Sequence, residues 1–234
     1  MTEQLGIKKS TVPPVSTWWT AIVATWFVKI IAVNMKRLLK LDVTVYNKHA
    51  VPKTGPVIVV GGHWSFSDPL LWGSTIVRNG AIMAKNDLWW NPLTGWLVRM
   101  RGDIAVKRGS DKGRAKAQRK AENVLAHGGL LGLYPPGSIS PAGQDRDWRK
   151  GFAEMAHKYQ ATIVPVRLIG SGHLLPLKQD RAYWGGKLFN RHAHVEVIYG
   201  NPVTPAEFAG MSPIELTNYV RKIHDNLDGQ QLAA

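Results

Sequence analysis

The chain contains no cysteine. Disulfides, cysteine-based zinc sites and a thiol nucleophile are therefore excluded. The absence is compatible with a reducing cytosol without requiring one. Acidic residues are scarce: sixteen Asp and Glu stand against thirty Lys and Arg, a formal charge of +14 over 234 residues. Such an excess calls for a polyanionic partner, whether phospholipid headgroups, an acidic cofactor or nucleic acid. Internal repeats and low-complexity linkers are also missing. So is an uncharged apolar run long enough to cross a bilayer. The apolar stretch that begins at Ser16 meets Lys29 before it can cover about 30 Å of hydrocarbon. No small-residue cleavage site follows it cleanly, so it does not read as a signal peptide.

What that stretch does contain is Trp18, Trp19 and Trp26 within nine residues, followed by Lys36, Arg37 and Lys40. Tryptophan favours the headgroup boundary, and the basic end favours an anionic leaflet. Residues 1–41 therefore read as an N-terminal interfacial helical segment. A helix packed on the core and a single span are the alternatives. Pro13 and Pro14 stop any earlier helix. The remaining 42–234 form one unit large enough to bury a substantial core.

That unit alternates strands with helices. Strands are read at Asp42–Tyr46, Val57–Val60, Ala81–Ala84, Ile104–Val106, Leu130–Tyr134, Thr162–Leu168 and His194–Gly200. Helices are read at Leu88–Met100, Asp111–His127, Lys150–Tyr159 and Ile214–Leu227. The fold class is α/β, a mostly parallel mixed sheet flanked by helices.

One short stretch carries chemistry. Gly61-Gly62-His63-Trp64-Ser65-Phe66-Ser67-Asp68 follows the β-branched run Val57–Val60. His63 and Asp68 join a titratable base to a carboxylate where a strand ends. Imidazole exchanges a proton near neutral pH, and a carboxylate can fix its tautomer. The carboxyl ends of strands are where open α/β sheets bind ligands. The pair is half of a serine-protease-type triad without a protein nucleophile, so the attacking hydroxyl must come from a substrate. The structural alternatives are a satisfied loop histidine and, since Pro69 suits the first turn of a helix, an Asp68 that caps that helix.

Three further blocks follow in order: Gly102-Asp103-Ile104-Ala105-Val106-Lys107-Arg108, Tyr134-Pro135-Pro136-Gly137-Ser138-Ile139-Ser140, and Ile163-Val164-Pro165-Val166. Taken with the first block, this series resembles the glycerolipid acyltransferase family typified by bacterial 1-acylglycerol-3-phosphate acyltransferase. The family's blocks are N-H-x-x-x-x-D, G-x-I-x-x-x-R, E-G-T-R-S and V-P-V. The resemblance covers about residues 16–205. It implies that His63 deprotonates the free hydroxyl of a lysophospholipid acceptor while Asp68 orients it. It implies that Lys85 and Arg108 hold the acceptor phosphate, and that Gly137 and Ser138 form a turn facing phosphate or oxyanion. The donor would be an acyl thioester, acyl-CoA or acyl carrier protein, as co-substrate, with no cofactor and no metal. The product would be phosphatidic acid, made at an anionic membrane surface by a protein lying peripherally or monotopically on the cytoplasmic face of the cell membrane.

Three departures qualify the match. Gly62 stands where the family has Asn, Pro136 where it has Glu, and Ile139 where it has Arg. Arg149, with Lys150, offers a replacement cation. Transfer to another lysolipid, or lipid binding without catalysis, are the alternatives these changes leave open. Nucleic acid is not expected, because the Trp residues cluster with aliphatics and do not interleave with basic residues. A metal hydrolase is disfavoured too: His192 and His194 share a strand face, but no carboxylate lies at a helical ligand spacing, and a solvated edge is expected.

Overall fold

The computed structural model describes residues 23, 26, 27, 30, 33, 34, 37, 41–76, 78–92, 95–140, 146–173, 177–178, 181–182 and 194–229. Most of the expected 1–41 segment thus lies outside the described residues. Of the described positions in it, all but Leu41 are helical, and Val23, Trp26, Ile30 and Val33 expose more than half of their surface. Among the described residues, no helix is long and apolar enough to cross a membrane.

Seven strands form the main sheet: β1 (Asp42–Tyr46), β2 (Val57–Gly61), β3 (Ala81–Lys85), β4 (Ile104–Val106), β5 (Leu130–Leu133), β6 (Thr162–Ile169) and β9 (His194–Tyr199). Their order is β1-β9-β6-β2-β5-β3-β4. Two short strands, β7 (Leu177–Lys178) and β8 (Arg181–Ala182), pair only with each other. Within the main sheet the β6–β9 pair is antiparallel and every other pair is parallel. The carboxyl ends of β2 to β6 therefore share one edge, and the loops leaving them are neighbours.

The helices are α1 (Asp68–Thr75), α2 (Gly95–Met100), α3 (Asp111–Ala126), α4 (Gly151–Tyr159), α5 (Pro205–Phe208) and α6 (Pro213–Asp225). Side chains alternate along a strand, so β2 divides its apolar run between two cores. Ile58 and Val60 face a cluster with Ala121 and Leu125 of α3, Phe152 of α4 and Leu216 of α6. Val57 and Val59 face Leu71 and Trp72 of α1 on the other side. A strand covered on both faces reads as an unbroken apolar run, which is why it stood out in the sequence. At the start of α6, Ser212 and Glu215 form a reciprocal capping box.

The expected helix Leu88–Met100 is not continuous. A 3-10 turn covers Asn86–Trp89, and α2 begins only at Gly95. Pro92 lies between them and cannot donate a helical hydrogen bond. The chain folds back so closely that a Cβ on Gly95 would sit 2.5 Å from the Trp89 carbonyl oxygen.

Gly132 on β5 is fixed by the same kind of crowding. A Cβ there would lie 1.9 Å from Cη2 of Trp72, so the indole of α1 packs flat where a side chain would be. Gly132→Ala must displace that ring. We expect a loss of about 1–3 kcal/mol, typical of overpacking a filled core, read as a lower urea midpoint at unchanged slope.

Candidate active site

The chain leaves β2 at Gly61 and reaches α1 seven residues later. Gly61 is required by its neighbour: a Cβ would stand 2.5 Å from the Val166 carbonyl of β6. The cap of α1 is Ser67, and Asp68 is already its first residue. The reading of Asp68 as helix cap is thus corrected. Its carboxylate turns back over the loop. Asp68 Oδ2 lies 2.8 Å from His63 Nδ1 and accepts the backbone N–H groups of Trp64 at 2.7 Å and Ser65 at 2.8 Å. A carboxylate oxygen already accepting two amide donors serves as acceptor to the ring as well. Nδ1 therefore carries the hydrogen, and Nε2 keeps its lone pair. The Asp68 side chain is wholly buried, whereas His63 retains 12% exposure. The acid is sealed and the base can be reached.

The third block completes the setting, because β5 lies beside β2. The ring of Tyr134 stacks on His63 with centroids 4.1 Å apart and planes 17° from parallel. The Ser140 N–H donates to the His63 carbonyl at 2.7 Å. The Tyr134 hydroxyl is buried without a partner among the described residues. Burial pushes its pKa well above the usual range, and the nearby Asp68 charge pushes it further. A small, mostly apolar recess, lined in part by Gly62, Trp72, Tyr134 and Val166, lies beside the loop that carries His63.

Cations gather at the neighbouring loops. Lys85 ends β3 and pairs with Asp87 at 2.5 Å. Arg108 sits in the turn after β4. Its pKa is lowered, first by local desolvation and then by repulsion from Arg149 and Arg146, with Asp87 opposing. Gly137 adopts φ 76°, a left-handed conformation that glycine tolerates. A Cβ on it would meet Cζ of Arg149 at 3.5 Å. The Arg149 N–H donates to the Pro135 carbonyl at 3.2 Å, which ties that arginine to the turn. Ser138, on the same turn, is partly exposed. Arg149 thus stands beside the block in which Ile139 replaces the expected arginine, while Pro136 is buried and offers no N–H.

A base with a fixed tautomer, partly reachable, with cations on the neighbouring loops, fits proton abstraction from an anionic substrate. The family model described as Acyltransferase matches residues 42–169. The chain belongs to that family. Every residue singled out above as a candidate site residue lies within the match. Among named relatives, the 1-acyl-sn-glycerol-3-phosphate acyltransferase of Borreliella burgdorferi is 31% identical over 136 residues, 58% of this chain and 54% of that protein. The chloroplastic 1-acyl-sn-glycerol-3-phosphate acyltransferase of Arabidopsis thaliana is 24% identical over 148 residues, 63% of this chain and 39% of that one. The chain spans about half the length of the curated relatives it matches. The crystal structure of the 1-acyl-sn-glycerophosphate (LPA) acyltransferase PlsC from Thermotoga maritima superposes with a TM-score of 0.71 at 25% identity, covering 90% of this chain and 80% of that one. These likenesses agree with the α/β fold and with the family resemblance seen in the motif series.

Residues that the motifs alone did not single out also lie at this candidate site. Tyr134 and Ser140 lie inside the third block but act through ring stacking and a backbone donor, which a motif does not encode. Arg146 emerges only from its electrostatic effect on Arg108. At the start of β9, His194 is exposed, as expected of a solvated edge, and stands between two carboxylates, Asp42 at 2.8 Å and Glu196 at 3.2 Å. His192 lies outside the described residues. No group of three or more metal-binding side chains occurs among the described residues.

Two substitutions test this geometry. Asp68→Asn keeps the size of the side chain but loses its charge, and should cut turnover by about 10²–10⁴-fold with the fold intact by circular dichroism. Tyr134→Phe keeps the stacked ring and removes an unpaired hydroxyl. It should leave turnover within a few-fold and stability equal or higher, since a buried unsatisfied polar group costs about 1–3 kcal/mol.

Proposed function

We propose that this acyltransferase moves an acyl chain from a thioester, acyl-CoA or acyl carrier protein, to the free hydroxyl of 1-acylglycerol-3-phosphate. The observation that carries the reading is the 2.8 Å contact between His63 Nδ1 and Asp68 Oδ2 at the shared carboxyl edge of the sheet. With Nδ1–H donated to Asp68, His63 Nε2 takes the proton of the acceptor hydroxyl. The oxygen attacks the thioester carbonyl carbon, the C–O bond forms and the C–S bond breaks. The departing thiolate recovers the proton from His63 and leaves as free thiol. No acyl-enzyme is needed, which agrees with the lack of cysteine. Arg108, Arg149 and Lys85 supply the charge for the acceptor phosphate, and planar guanidinium pairs well with phosphate oxygens.

Catalysis takes place at an anionic membrane surface in this reading, with the protein peripheral or monotopic on the cytoplasmic face. The exposed Trp26, Ile30 and Val33, with Trp90 at 78% exposure, support apposition to lipid. The formal charge of +14 supports an anionic leaflet. Pro136 and Ile139 favour a second reading, in which a different lysolipid is the acceptor or the fold binds lipid without turnover.

Purified protein mixed with acyl-CoA and 1-acylglycerol-3-phosphate in micelles should release free thiol. His63→Ala should reduce release by at least about 10²-fold. Arg108→Ala and Arg149→Ala should each raise KM for the phosphate acceptor by about tenfold or more, as expected for a lost charge-assisted bond. Release with a neutral lysolipid in preference would shift the assignment to that acceptor. Silence with both donors, alongside binding to anionic vesicles, would leave only the non-catalytic reading.

A further inference from the structure

The loop that carries His63 is also held from the far end of the chain. The Gly62 N–H donates to Nε2 of His224 at 3.1 Å, across 162 positions of sequence. His224 lies near the end of α6 and is 3% exposed. Its other nitrogen, Nδ1, lies 2.8 Å from Asp225 Oδ1. Since Nε2 accepts from an amide, Nδ1 must be the protonated nitrogen, and Asp225 fixes that tautomer. The hydrogen bond with His224 is the leading cause that lowers the Asp225 carboxyl pKa. The end of α6 is tied to the sheet in turn: Arg167 of β6 donates to the Asp225 carbonyl at 2.5 Å and the Leu227 carbonyl at 3.0 Å. The Trp148 ring packs on the imidazole with centroids 5.0 Å apart.

Gly62 is the position where the family's first block has Asn. Here a Cβ would come within 2.9 Å of Trp64 Nε1 and 3.3 Å of His224 Cε1. A side chain at 62 would therefore meet the Trp64 indole first and crowd the His224 ring as well. His224 also lies beyond residues 42–169, the part that the family model matches.

We infer that His224 is a positioning residue for acyl transfer, using Nε2 as acceptor for the Gly62 N–H to hold the backbone that carries His63. The inference rests on His63 being the general base. The base is then gripped on both sides: His224 holds the amide just before it, and the Ser140 N–H holds its carbonyl. Asp225 sets the tautomer at one remove. A histidine that only packed α6 would need apolar contact and no acceptor, and a leucine could replace it.

The test compares His224→Leu with His224→Gln, whose side-chain carbonyl can reach where Nε2 stood. Three readouts are taken on the full chain: thermal melting, hydrogen exchange of the Gly62 amide by NMR, and kcat with KM for acceptor and thioester. The Leu variant should lose Gly62 protection and lower kcat about tenfold or more at nearly constant KM, the signature of a misplaced base. The Gln variant should recover most of both. Asp225→Ala is the companion variant should Leu not fold, because its side chain is half exposed and the ring packing is left in place. It should lower Gly62 protection and kcat together, by about threefold. Wild-type kcat in folded His224→Leu, or in Asp225→Ala, overturns the inference, as does a kcat loss in Gln equal to that in Leu. Full activity in His63→Ala would instead remove the base reading, and this inference would fall with it.

Discussion

The site depends on one oxygen atom. Asp68 Oδ2 receives the imidazole N–H of His63 and the backbone N–H groups of Trp64 and Ser65. A single acceptor thus fixes the path of the loop and the orientation of the base. The two tasks cannot be separated, because the amides that shape the loop also keep the carboxylate an acceptor toward the ring. Burial strengthens the arrangement. A sealed carboxylate without water must use the donors that the chain supplies.

The sheet explains why the other groups lie nearby. β2, β5, β3 and β4 are consecutive in the sheet order and point the same way. Loops that are about twenty to seventy residues apart in sequence therefore leave the same edge side by side. The base leaves β2, the stacking Tyr134 and the Gly137 turn leave β5, Lys85 ends β3 and Arg108 follows β4. The short strands need no long side chains to converge, since the topology supplies the proximity. Close backbone packing at Gly61 and Gly132 sets the strand and helix spacings that this edge requires.

Much of this was legible in the sequence because it depends on local chemistry. The β-branched run Val57–Val60 announced a strand, and the structure covers it on both faces. The five-residue spacing from His63 to Asp68 was legible as a pair, but not the route of the bond. Pro69 made Asp68 look like a helix cap, and only the loop's own amides show why the carboxylate turns away. The Leu88–Met100 segment misled because its apolar periodicity is helical while Pro92 breaks its backbone. His224 carried no local signal at all. Its role arises from a contact between the two ends of a chain, and nothing in the spacing of a single sequence encodes that.

The altered third block bears on where positive charge sits, more than on how much of it there is. An arginine at 139 would project from the turn itself. In this chain the charge comes from Arg149, whose guanidinium lies over Gly137 and whose backbone is bonded to Pro135. The Arg108 pKa is lowered first by desolvation and then by repulsion from Arg149 and Arg146, with Asp87 opposing. A partly desolvated cation beside like charges is at a cost that a bound anion would offset. In the proposed reading, Arg149 would hold the acceptor phosphate from the other side of the turn, while Pro136 and Ile139 place apolar residues where the family has two charged ones.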